Sequence, residues 1–546
     1  MDFLPSISLA KTPLPFVGLA LLAGVLYLRS VILWRKRTRG RPLPPGPRGL
    51  PIVGNLWDMP TSRQWLGLND FRKKYGDIVH FKVFKQHVVI LGSAESVRFL
   101  DWRSANTSDR LVTPSIALAD HSWSFDMFKY GPKWRHYRRV FWQHFHPGAI
   151  TKYRPIQEKA MHTFLARVLK NPSRVQDYIQ RYAWPRSIPP EFGVGLTLWC
   201  STFAEAILKM AYGVDVVDEH DETVEVINEG VEGVRELLVF GGFLVDYLPF
   251  LRHVPSYLPG CGFMKQFETW ARANQRLRNV PYQRLVEAMN KDEAPQCILA
   301  DILAGAEGEY KTWPYEIEAL ANSIGGIIFE AGADTTSSTL QAVLLAMSLY
   351  PDIQKKAHAE LDAVVGNDRL PDLDDRDSLP YLNALIKESL RWFPVGPLGQ
   401  SHYTMVDDEF GGYFIPAGTV VQGNIWGCTH DPDVYEHPDE FRPERFIRDG
   451  KLDPNVQDPA TVVFGFGRRI CPGRHFADVA LFINIAALLH VFDIAPPVDE
   501  KGNEIKIEPR MTDCMVSYPE DSRCTIKPRG AWAEALIANA VSEPTY

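Results

Sequence analysis

The chain has 546 residues, 45% of them hydrophobic and 12% aromatic, which is enough for a large packed core, and its formal net charge is −7. Because no long basic run occurs outside the N-terminal region, the charge pattern argues against nucleic acid as a partner. The cysteines are widely spaced and form no C-x-x-C pair, which argues against a disulfide framework or a structural zinc site and favours a reducing compartment: Cys200, Cys261, Cys297, Cys428, Cys471, Cys514 and Cys524.

The first predicted element is a helix over residues 14–34, an apolar stretch that contains one charge, Arg29. As a helix it would be about 30 Å long, the thickness of one bilayer core. A cleaved signal peptide is the alternative, but its basic residues would precede the apolar stretch, and here they follow it. The sequence therefore predicts a single-pass membrane anchor and basic flank over residues 1–40, with everything after the span on the cytosolic side.

A proline-rich segment, RPLPPGPRGLPIVGN, follows over residues 41–55. Prolines at this density exclude a helix and favour an extended, semi-rigid hinge. No repeat or low-complexity linker occurs beyond it, so the sequence predicts one catalytic domain over residues 56–530 and a C-terminal tail over residues 531–546.

Short strands and long helices alternate in this domain. Residues 77–92 and 412–427 alternate apolar and polar side chains, and each stretch predicts a β-hairpin, the second with its turn at Pro416 to Gly418. Long apolar patterns predict helices over residues 314–350 and 380–393. A third helix is predicted to open with Pro472 in its first turn. The fold class is therefore mainly α with small β-sheets (α+β).

The stretch FGFGRRICPG places Cys471 at the start of that third helix, where free N–H groups and the helix dipole stabilise a thiolate. Its glycines would let a large flat group approach the loop, and Arg469 supplies a charge for a carboxylate. Thiolate, metal and carboxylate together point to haem iron. An isolated cysteine would otherwise be interpreted as a small buried hydrophobic residue.

The spacing F-x-x-G-x-R-x-C-x-G is filled by Phe464, Gly467, Arg469, Cys471 and Gly473, and it resembles the haem loop of the cytochrome P450 monooxygenases. The resemblance extends from the proline-rich segment to about Pro528, and the apolar segment 244–260 resembles a loop found in many fungal microsomal members. It implies the cytochrome P450 fold, haem b (iron protoporphyrin IX) as cofactor, and Cys471 as the axial ligand of the iron. It also implies a location in the endoplasmic reticulum membrane.

The resemblance assigns further residues to the haem carboxylates. In KWRHYRR, Trp134 and Arg138 match the W-x-x-x-R that contacts one propionate, and Arg469 belongs to the same group of cations. His402 stands where relatives often place a His or Arg for the other propionate, although its lead-in, Gln400-Ser401, departs from the pattern.

The helix over residues 314–350 carries FEAGADTTSST, which matches the A/G-G-x-D/E-T motif of the family. The resemblance implies that Asp334 and Thr335 deliver protons to bound oxygen, whereas a lone threonine would more commonly bond to its own helix. Glu330 departs from the family, because relatives often have an apolar residue there. The sequence leaves open whether Glu330 contacts substrate or lies on the surface.

A second family feature is structural. Glu388 and Arg391 lie three residues apart on one predicted helical face, and Arg445 in FRPERF offers a second cation. The resemblance implies a buried network of these three residues beneath the haem loop, with no catalytic role.

Taken together, the resemblance implies a monooxygenase that inserts one oxygen atom from O2 into an apolar small molecule, for example a terpenoid or other secondary metabolite. Its electrons would come from NADPH through cytochrome P450 reductase, with cytochrome b5 as an optional second donor. Substrate contacts are predicted within residues 111–125, 323–330 and 395–399, and the apolar segment 244–260 is predicted to dip into membrane lipid. The alternatives are a haem-thiolate isomerase or peroxygenase that needs no reductase, and a non-catalytic haem sensor.

Overall fold

The computed structural model describes residues 14–179, 202–215, 222–239, 241–256, 262–305 and 316–542. Helices predominate and the strands are short, which confirms the predicted class, mainly α with small β-sheets. The helices of the described residues are α1 (Leu14–Thr38), α2 (Gln64–Tyr75), α3 (Arg98–Trp102), α4 (Ser104–Thr107), α5 (Pro114–Leu118), α6 (Pro132–Phe145), α7 (Arg154–Lys170), α8 (Val175–Ile179), α9 (Thr202–Tyr212), α10 (Glu222–Leu237), α11 (Leu244–Tyr247), α12 (Phe263–Asn290), α13 (Ile298–Ala304), α14 (Ile317–Leu349), α15 (Pro351–Val364), α16 (Pro380–Trp392), α17 (Ile425–Thr429), α18 (Ala460–Val463), α19 (Arg474–Val491) and α20 (Ala531–Ser542).

The core is built around α14, most of whose side chains are buried. It packs against α9, α13, α12 and α19, and an apolar cluster that includes α7, α16 and α19 surrounds its C-terminal half. An apolar pattern on all faces predicts this central position. The predicted helix over residues 314–350 is therefore confirmed as α14 from Ile317 to Leu349. Residues 316 and 350 flank the helix, and residues 314 and 315 lie outside the described residues.

Helix α16 confirms the predicted helix over residues 380–393 to within one residue. The third predicted helix begins later than expected. Gly473 precedes the first helical residue of α19, so Pro472 lies in the approach to the helix and not in its first turn. The loop needs these two residues to bring Cys471 to the helix end.

The strands form one sheet of four and three of two. They are β1 (Ile78–Val83), β2 (Gln86–Leu91), β3 (His402–Tyr403), β4 (Asp408–Phe410), β5 (Tyr413–Ile415), β6 (Val420–Gly423), β7 (Ile447–Arg448), β8 (Lys451–Leu452), β9 (Phe492–Ala495) and β10 (Thr525–Pro528). The larger sheet has the order β1-β2-β6-β3, and its β1–β2 pair confirms the hairpin predicted over residues 77–92.

The second predicted hairpin, over residues 412–427, is wrong. Strand β5 pairs with β4, whereas β6 lies between β2 and β3 in the larger sheet, and the stretch ends in helix α17. The turn at Pro416 moves the chain between sheets, because Thr404 and Thr419 both donate side-chain hydrogen bonds to the Pro416 carbonyl. Both edges of β6 are occupied, one by β2 and the other by β3, so β5 cannot pair with it.

The N-terminal residues that the structure describes form the predicted helix, α1, and carry many exposed apolar side chains, such as Leu21 and Leu26. The last turns of α1 dock on the body, where Trp34 contacts His87 and Arg37 pairs with Asp407. Within the described residues, α19 is the one helix with the length and hydropathy to cross a bilayer, and 72% of it is buried in the protein, as in a core helix. A membrane-spanning role for α1 therefore stays a prediction.

Candidate functional site

A cavity of about 340 Å³ lies between α14, α6 and the loop that precedes α19. Its walls are mainly apolar, and they include side chains from all three segments predicted to contact substrate. Phe125 comes from the first segment, Ile327 and Ile328 from the second, and Val395 and Leu398 from the third. Cys471 is the cysteine that lines this cavity.

The loop before α19 presents Cys471 through two left-handed glycines. Gly465 and Gly467 have φ values of +78° and +54°, which L side chains rarely adopt. The Cys471 N–H donates to the Phe464 carbonyl at 2.7 Å and closes the loop. A Cβ at Gly467 would lie 2.7 Å from the Leu100 carbonyl oxygen, so this glycine packs the loop on α3, whereas Phe464 and Gly473 line the cavity.

The Cys471 thiol experiences opposing influences. Burial raises its pKa, whereas the backbone N–H groups of Gly473 and Arg474 and the charges of Arg138 and Arg474 lower it. Burial is the largest influence, so the pKa of the thiol is above its usual value. A bound cation would offset that burial and favour the thiolate.

Three arginines, which we call the rim arginines, line the same cavity as this thiol: Arg110, Arg138 and Arg469. Arg469 donates to the backbone carbonyls of Ser108, Asp126 and Phe128. Arg110 donates to the backbone carbonyls of Asp126 and Ser401 and to the side-chain oxygen of Gln400. Arg138 donates to the Ile470 carbonyl. Among the described residues, none of the three guanidinium groups hydrogen-bonds to a carboxylate.

Burial lowers the pKa of Arg469 to about 8, with a further contribution from the charge of Arg110. It lowers the pKa of Arg110 to about 10 and that of Arg138 to about 10. Arg469 also stacks on Trp134, with its guanidinium carbon 4.4 Å from the ring centroid, which fixes its position. Buried cations with lowered pKa values and free N–H donors form a site that favours an anion.

His402 reaches the cavity from β3. Its Nδ1 lies 3.0 Å from the Thr107 carbonyl, and burial together with the charge of Arg110 holds its pKa well below the usual value. The imidazole is therefore neutral, with Nδ1–H donating to Thr107 and Nε2 left as an acceptor.

The residues present fit an iron porphyrin. A single thiol lies at the bottom of an apolar cavity, and buried cations at its edge are available for carboxylates. Within the part of the chain that the structure describes, no group of three or more His, Cys, Asp or Glu side chains is placed to hold a bare metal ion. This arrangement matches a metal that arrives in an organic cofactor with one protein ligand.

On the opposite wall, Thr335 lines the cavity together with Ala331 and Gly332. Its hydroxyl donates to the Ala331 carbonyl at 2.9 Å, the bond to its own helix that is common for a threonine. A Cβ at Gly332 would lie 2.9 Å from Ile207 Cδ1, so this glycine also lets α9 approach α14.

Asp334 is not among the residues that line the cavity. Its carboxylate accepts hydrogen bonds from Arg235 of α10, at 2.9 Å from Nε, and from the Tyr518 hydroxyl. The predicted partners Asp334 and Thr335 are thus adjacent in sequence but have different surroundings.

Glu330, whose position the sequence left open, is buried and therefore not a surface residue. Its Oε1 lies 3.6 Å from Nε2 of His121, which is also buried. Burial, with the charges of Asp126 and Asp334, raises the pKa of Glu330 well above its usual value. Glu330 does not line the cavity itself, but its neighbour Ala331 does.

The structure brings together Glu388, Arg391 and Arg445, which we call the α16 network. Arg391 donates to both Glu388 carboxylate oxygens, at 2.7 and 2.8 Å, and Arg445 donates to Oε1 at 3.1 Å. The remaining Arg391 donors bond to the carbonyls of Thr429, Pro438 and Glu440. Glu388 and Arg391 are fully buried, and all five N–H donors of Arg391 are used.

Sequence reasoning missed Arg110, His121, Arg235 and Tyr518. Each contacts a site residue that is far away in the chain, as Arg110 does with Gln400 across 290 positions. No motif marks them. A basic residue at the start of an apolar segment was the one signal that the sequence offered, and it applies to Arg110.

Comparisons with known proteins agree with this geometry. The family profile described as cytochrome P450 matches residues 44–520. The chain is 35% identical over 539 residues to "Cytochrome P450 monooxygenase COX2" of Coprinopsis cinerea, with 98% of each chain covered. It is 40% identical over 525 residues to "Cytochrome P450 monooxygenase 208" of Postia placenta, with 95% of this chain and 96% of the relative covered. It is 36% identical to "Cytochrome P450 monooxygenase claR" of Ampulloclitocybe clavipes, with 94% and 90% covered.

Proposed function

The chain belongs to the cytochrome P450 family and is a monooxygenase with a haem iron cofactor, and we propose that it is a membrane-anchored enzyme of fungal secondary metabolism that holds haem b through Cys471. The observation that carries the proposal is the position of Cys471 in an apolar cavity edged by arginines that donate no hydrogen bond to a carboxylate within the described residues. Asp109 and Asp126 act on Arg110 and Arg469 through their charge alone. Those arginines favour an anionic cofactor, and the thiol supplies a single metal ligand.

The rim arginines and Trp134 would hold the two haem carboxylates. Three of the five donors of Arg469 and three of those of Arg110 are used by carbonyls and one amide, so donors remain for a ligand. His402 would join them only after gaining a proton on Nε2, because its Nδ1 proton is already directed to Thr107. When bound, the haem supplies the activation of dioxygen.

Thr335 and Asp334 would manage the protons that this reaction consumes. The Thr335 hydroxyl lies on the cavity wall and can accept a hydrogen bond while it donates to Ala331. Asp334 can carry a proton to it only after its carboxylate contacts with Arg235 and Tyr518 loosen. The ion pair would therefore keep Asp334 out of the cavity between proton transfers.

The apolar cavity walls favour an apolar small molecule as substrate, and a terpenoid is our proposal for its class. Electrons would come from NADPH through cytochrome P450 reductase, with cytochrome b5 as an optional donor. Exposed cations on α6, Lys133, Arg135 and Arg139, lie on the helix that carries Arg138 and would attract an acidic partner to the Cys471 side.

We place the protein in the endoplasmic reticulum membrane with its catalytic domain in the cytosol. The exposed apolar surface of α1 favours lipid, and its last turn carries Arg35, Lys36 and Arg37. Exposed apolar side chains such as Ile52, Leu244 and Phe250 would rest at the same surface. Of the predicted lipid-contacting segment 244–260, the structure describes residues 244–256.

The proposal is tested with Cys471→Ser. The parent protein, reduced in the presence of carbon monoxide, is expected to give a strongly red-shifted Soret band, and the variant is expected to lose it. An unchanged band in the variant would refute Cys471 as the ligand. Product formation with NADPH and reductase, compared with peroxide alone, separates a monooxygenase from a peroxygenase or isomerase, and ligand binding without any product would indicate a sensor.

A further inference from the structure

One face of α14 beside the cavity carries two buried polar side chains, Ser323 and Glu330. Segment 121–126 crosses this face. Ser323 donates to the Trp123 carbonyl at 2.8 Å, a Cβ at Gly326 would lie 2.6 Å from the Trp123 ring, and Glu330 faces His121. Positions 323, 326 and 330 follow the helical repeat, so they form one stripe directly beside the stripe of Ile327, Ala331 and Thr335 that lines the cavity.

Polar atoms on this stripe lack partners. Glu330 Oε2 and Trp123 Nε1 are buried, and neither has a hydrogen-bond partner among the described residues. The Glu330 side chain is 8% exposed and that of His121 is 0% exposed. A buried polar group without a partner costs free energy, and native proteins seldom leave one without a water molecule or a ligand group.

Glu330 and His121 do not satisfy each other. Their nearest nitrogen and oxygen are 3.6 Å apart, which is too long for a hydrogen bond. The other groups that act on the pair are the carboxyls of Asp120, Asp126 and Asp334 and the side chain of Asn274. Burial lowers the pKa of His121 and raises that of Glu330, so it favours the neutral form of each side chain.

The pair adjoins the substrate space. Asp126 lines the cavity and acts electrostatically on both members of the pair, and Phe125 beside it is a cavity wall. The other polar side chains of the cavity wall have partners or assigned roles, and the rim arginines and His402 are the groups that would meet the proposed haem carboxylates. Three wall threonines donate to carbonyls of their own helix: Thr335, Thr336 and Thr339. Gln400 accepts a hydrogen bond from Arg110 and donates one to Asp126. A polar group on an otherwise apolar substrate would thus find its partners at Glu330 and His121.

We infer that Glu330 and His121 form a recognition site for a hydroxyl group of the substrate, an inference that rests on the proposed function. A neutral carboxyl and a neutral imidazole each offer one donor and one acceptor, and a hydroxyl group matches both. A cationic amine fits poorly, because an ammonium group has only donors and leaves the donor of a neutral carboxyl or imidazole without an acceptor. The substrate is therefore an apolar alcohol, which an earlier oxygenation or hydration reaction must supply.

The test uses the full-length ferric protein and three pairs of compounds that differ by one hydroxyl group: borneol and bornane, cedrol and cedrane, and dodecanol and dodecane. Dissociation constants are measured from the change in haem spin state. For each compound, the dissociation constant of Glu330→Met is divided by that of the parent. In at least one pair, this ratio is expected to be about tenfold larger for the alcohol than for the hydrocarbon. Partition of a compound into detergent affects parent and variant equally. The difference between the alcohol ratio and the hydrocarbon ratio therefore reports only the effect of residue 330.

Glu330→Gln, which keeps a donor and an acceptor, is expected to retain most of the preference. Glu318→Leu removes an exposed glutamate from the same helix and is the matched control. If Glu330→Met does not retain haem, His121→Leu decides the question by the same ratio. The inference is overturned if the alcohol and the hydrocarbon of every pair give the same ratio, or if neither binds. That result would indicate that Glu330 and His121 hold a buried water molecule or have a structural role. The carbon monoxide spectrum of the parent is recorded first, because loss of its red-shifted band would refute the proposed function separately.

Discussion

The α16 network and the rim arginines are both buried groups of arginines, but they differ in their anions. In the α16 network, Glu388 supplies a carboxylate three residues from Arg391, and every donor of Arg391 has a partner. The rim arginines have carbonyl and amide partners, and no carboxylate accepts from them within the described ranges. The first group is complete without a ligand, and the second is not.

This difference separates a structural site from a binding site. Burial of a charge is unfavourable unless a partner compensates it, so a closed network stabilises one arrangement of the chain and offers nothing to a ligand. Open cations retain donors and a positive potential that a carboxylate can satisfy. Substitutions in the two groups should therefore affect different properties, which makes the comparison testable.

The largest effect is expected for Glu388→Gln. It removes the charge opposite Arg391 and Arg445 and leaves two buried guanidinium groups uncompensated, which costs about 3–5 kcal/mol of unfolding free energy. Urea unfolding followed by far-ultraviolet circular dichroism measures the loss. Glu436→Gln, at an exposed position nearby, is the control and should change stability little. A variant as stable as the parent would show that the network is dispensable.

The second effect concerns Arg469→Leu, which is expected to weaken haem retention more than folding. Loss of charge-assisted hydrogen bonds to a carboxylate corresponds to about 1.5–3 kcal/mol, or roughly a 10- to 100-fold faster transfer of haem to apomyoglobin. Arg468→Leu removes the adjacent exposed arginine and should leave the transfer rate unchanged. If Arg469→Leu loses as much stability as Glu388→Gln and transfers haem at the parent rate, then the rim arginines have a structural role like that of the α16 network.

The two groups also differ in how far the sequence could predict them. The Glu388–Arg391 pair follows from helical spacing within α16, and the motif around Cys471 follows from one short loop. Arg110 could not be found in this way, because its partners Gln400 and Ser401 come from a distant segment. Local patterns specify contacts within an element, whereas contacts between elements depend on the fold.

The wrong hairpin at residues 412–427 has the same physical origin. Alternating side chains correctly indicated β-strands, and β5 and β6 both exist. The alternation does not say which strand is the partner, and β6 pairs with β2, more than 300 residues earlier in the chain. Glu330 is a third example, since only the crossing of segment 121–126 over α14 determines that it is buried.

Arg235 belongs to neither group and gives an intermediate case, because its anion, Asp334, lies on α14, the helix that also carries Thr335. Arg235→Leu is expected to lower the unfolding free energy by about 2 kcal/mol, since it removes a charge partner from a buried carboxylate. It should also lower the product formed per NADPH consumed, because Asp334 loses its resting position. Arg276→Leu, which breaks an exposed pair with Glu229, is the control and should cost under about 1 kcal/mol. If Arg235→Leu forms as much product per NADPH consumed as the parent, the ion pair has a structural role only.

The smallest effect is a pH dependence beside the α16 network. His430 stacks on Trp426 at 4.2 Å, and burial, followed by the charge of Arg391, lowers its pKa to about 3. In the unfolded chain the His430 imidazole has a pKa near 6.5, so below that pH it binds a proton that the folded state does not bind. The contribution of His430 to stability is therefore fully present above about pH 6.5 and is lost as the pH decreases toward 3. His430→Phe keeps the stacked ring and removes this titration. Between pH 7 and 5.5 the parent should lose about 1 kcal/mol more than the variant in urea unfolding. If the parent and His430→Phe show the same dependence of unfolding free energy on pH, His430 takes up its proton in the folded state. Glu388 would then neutralise the charges of Arg391 and Arg445 completely.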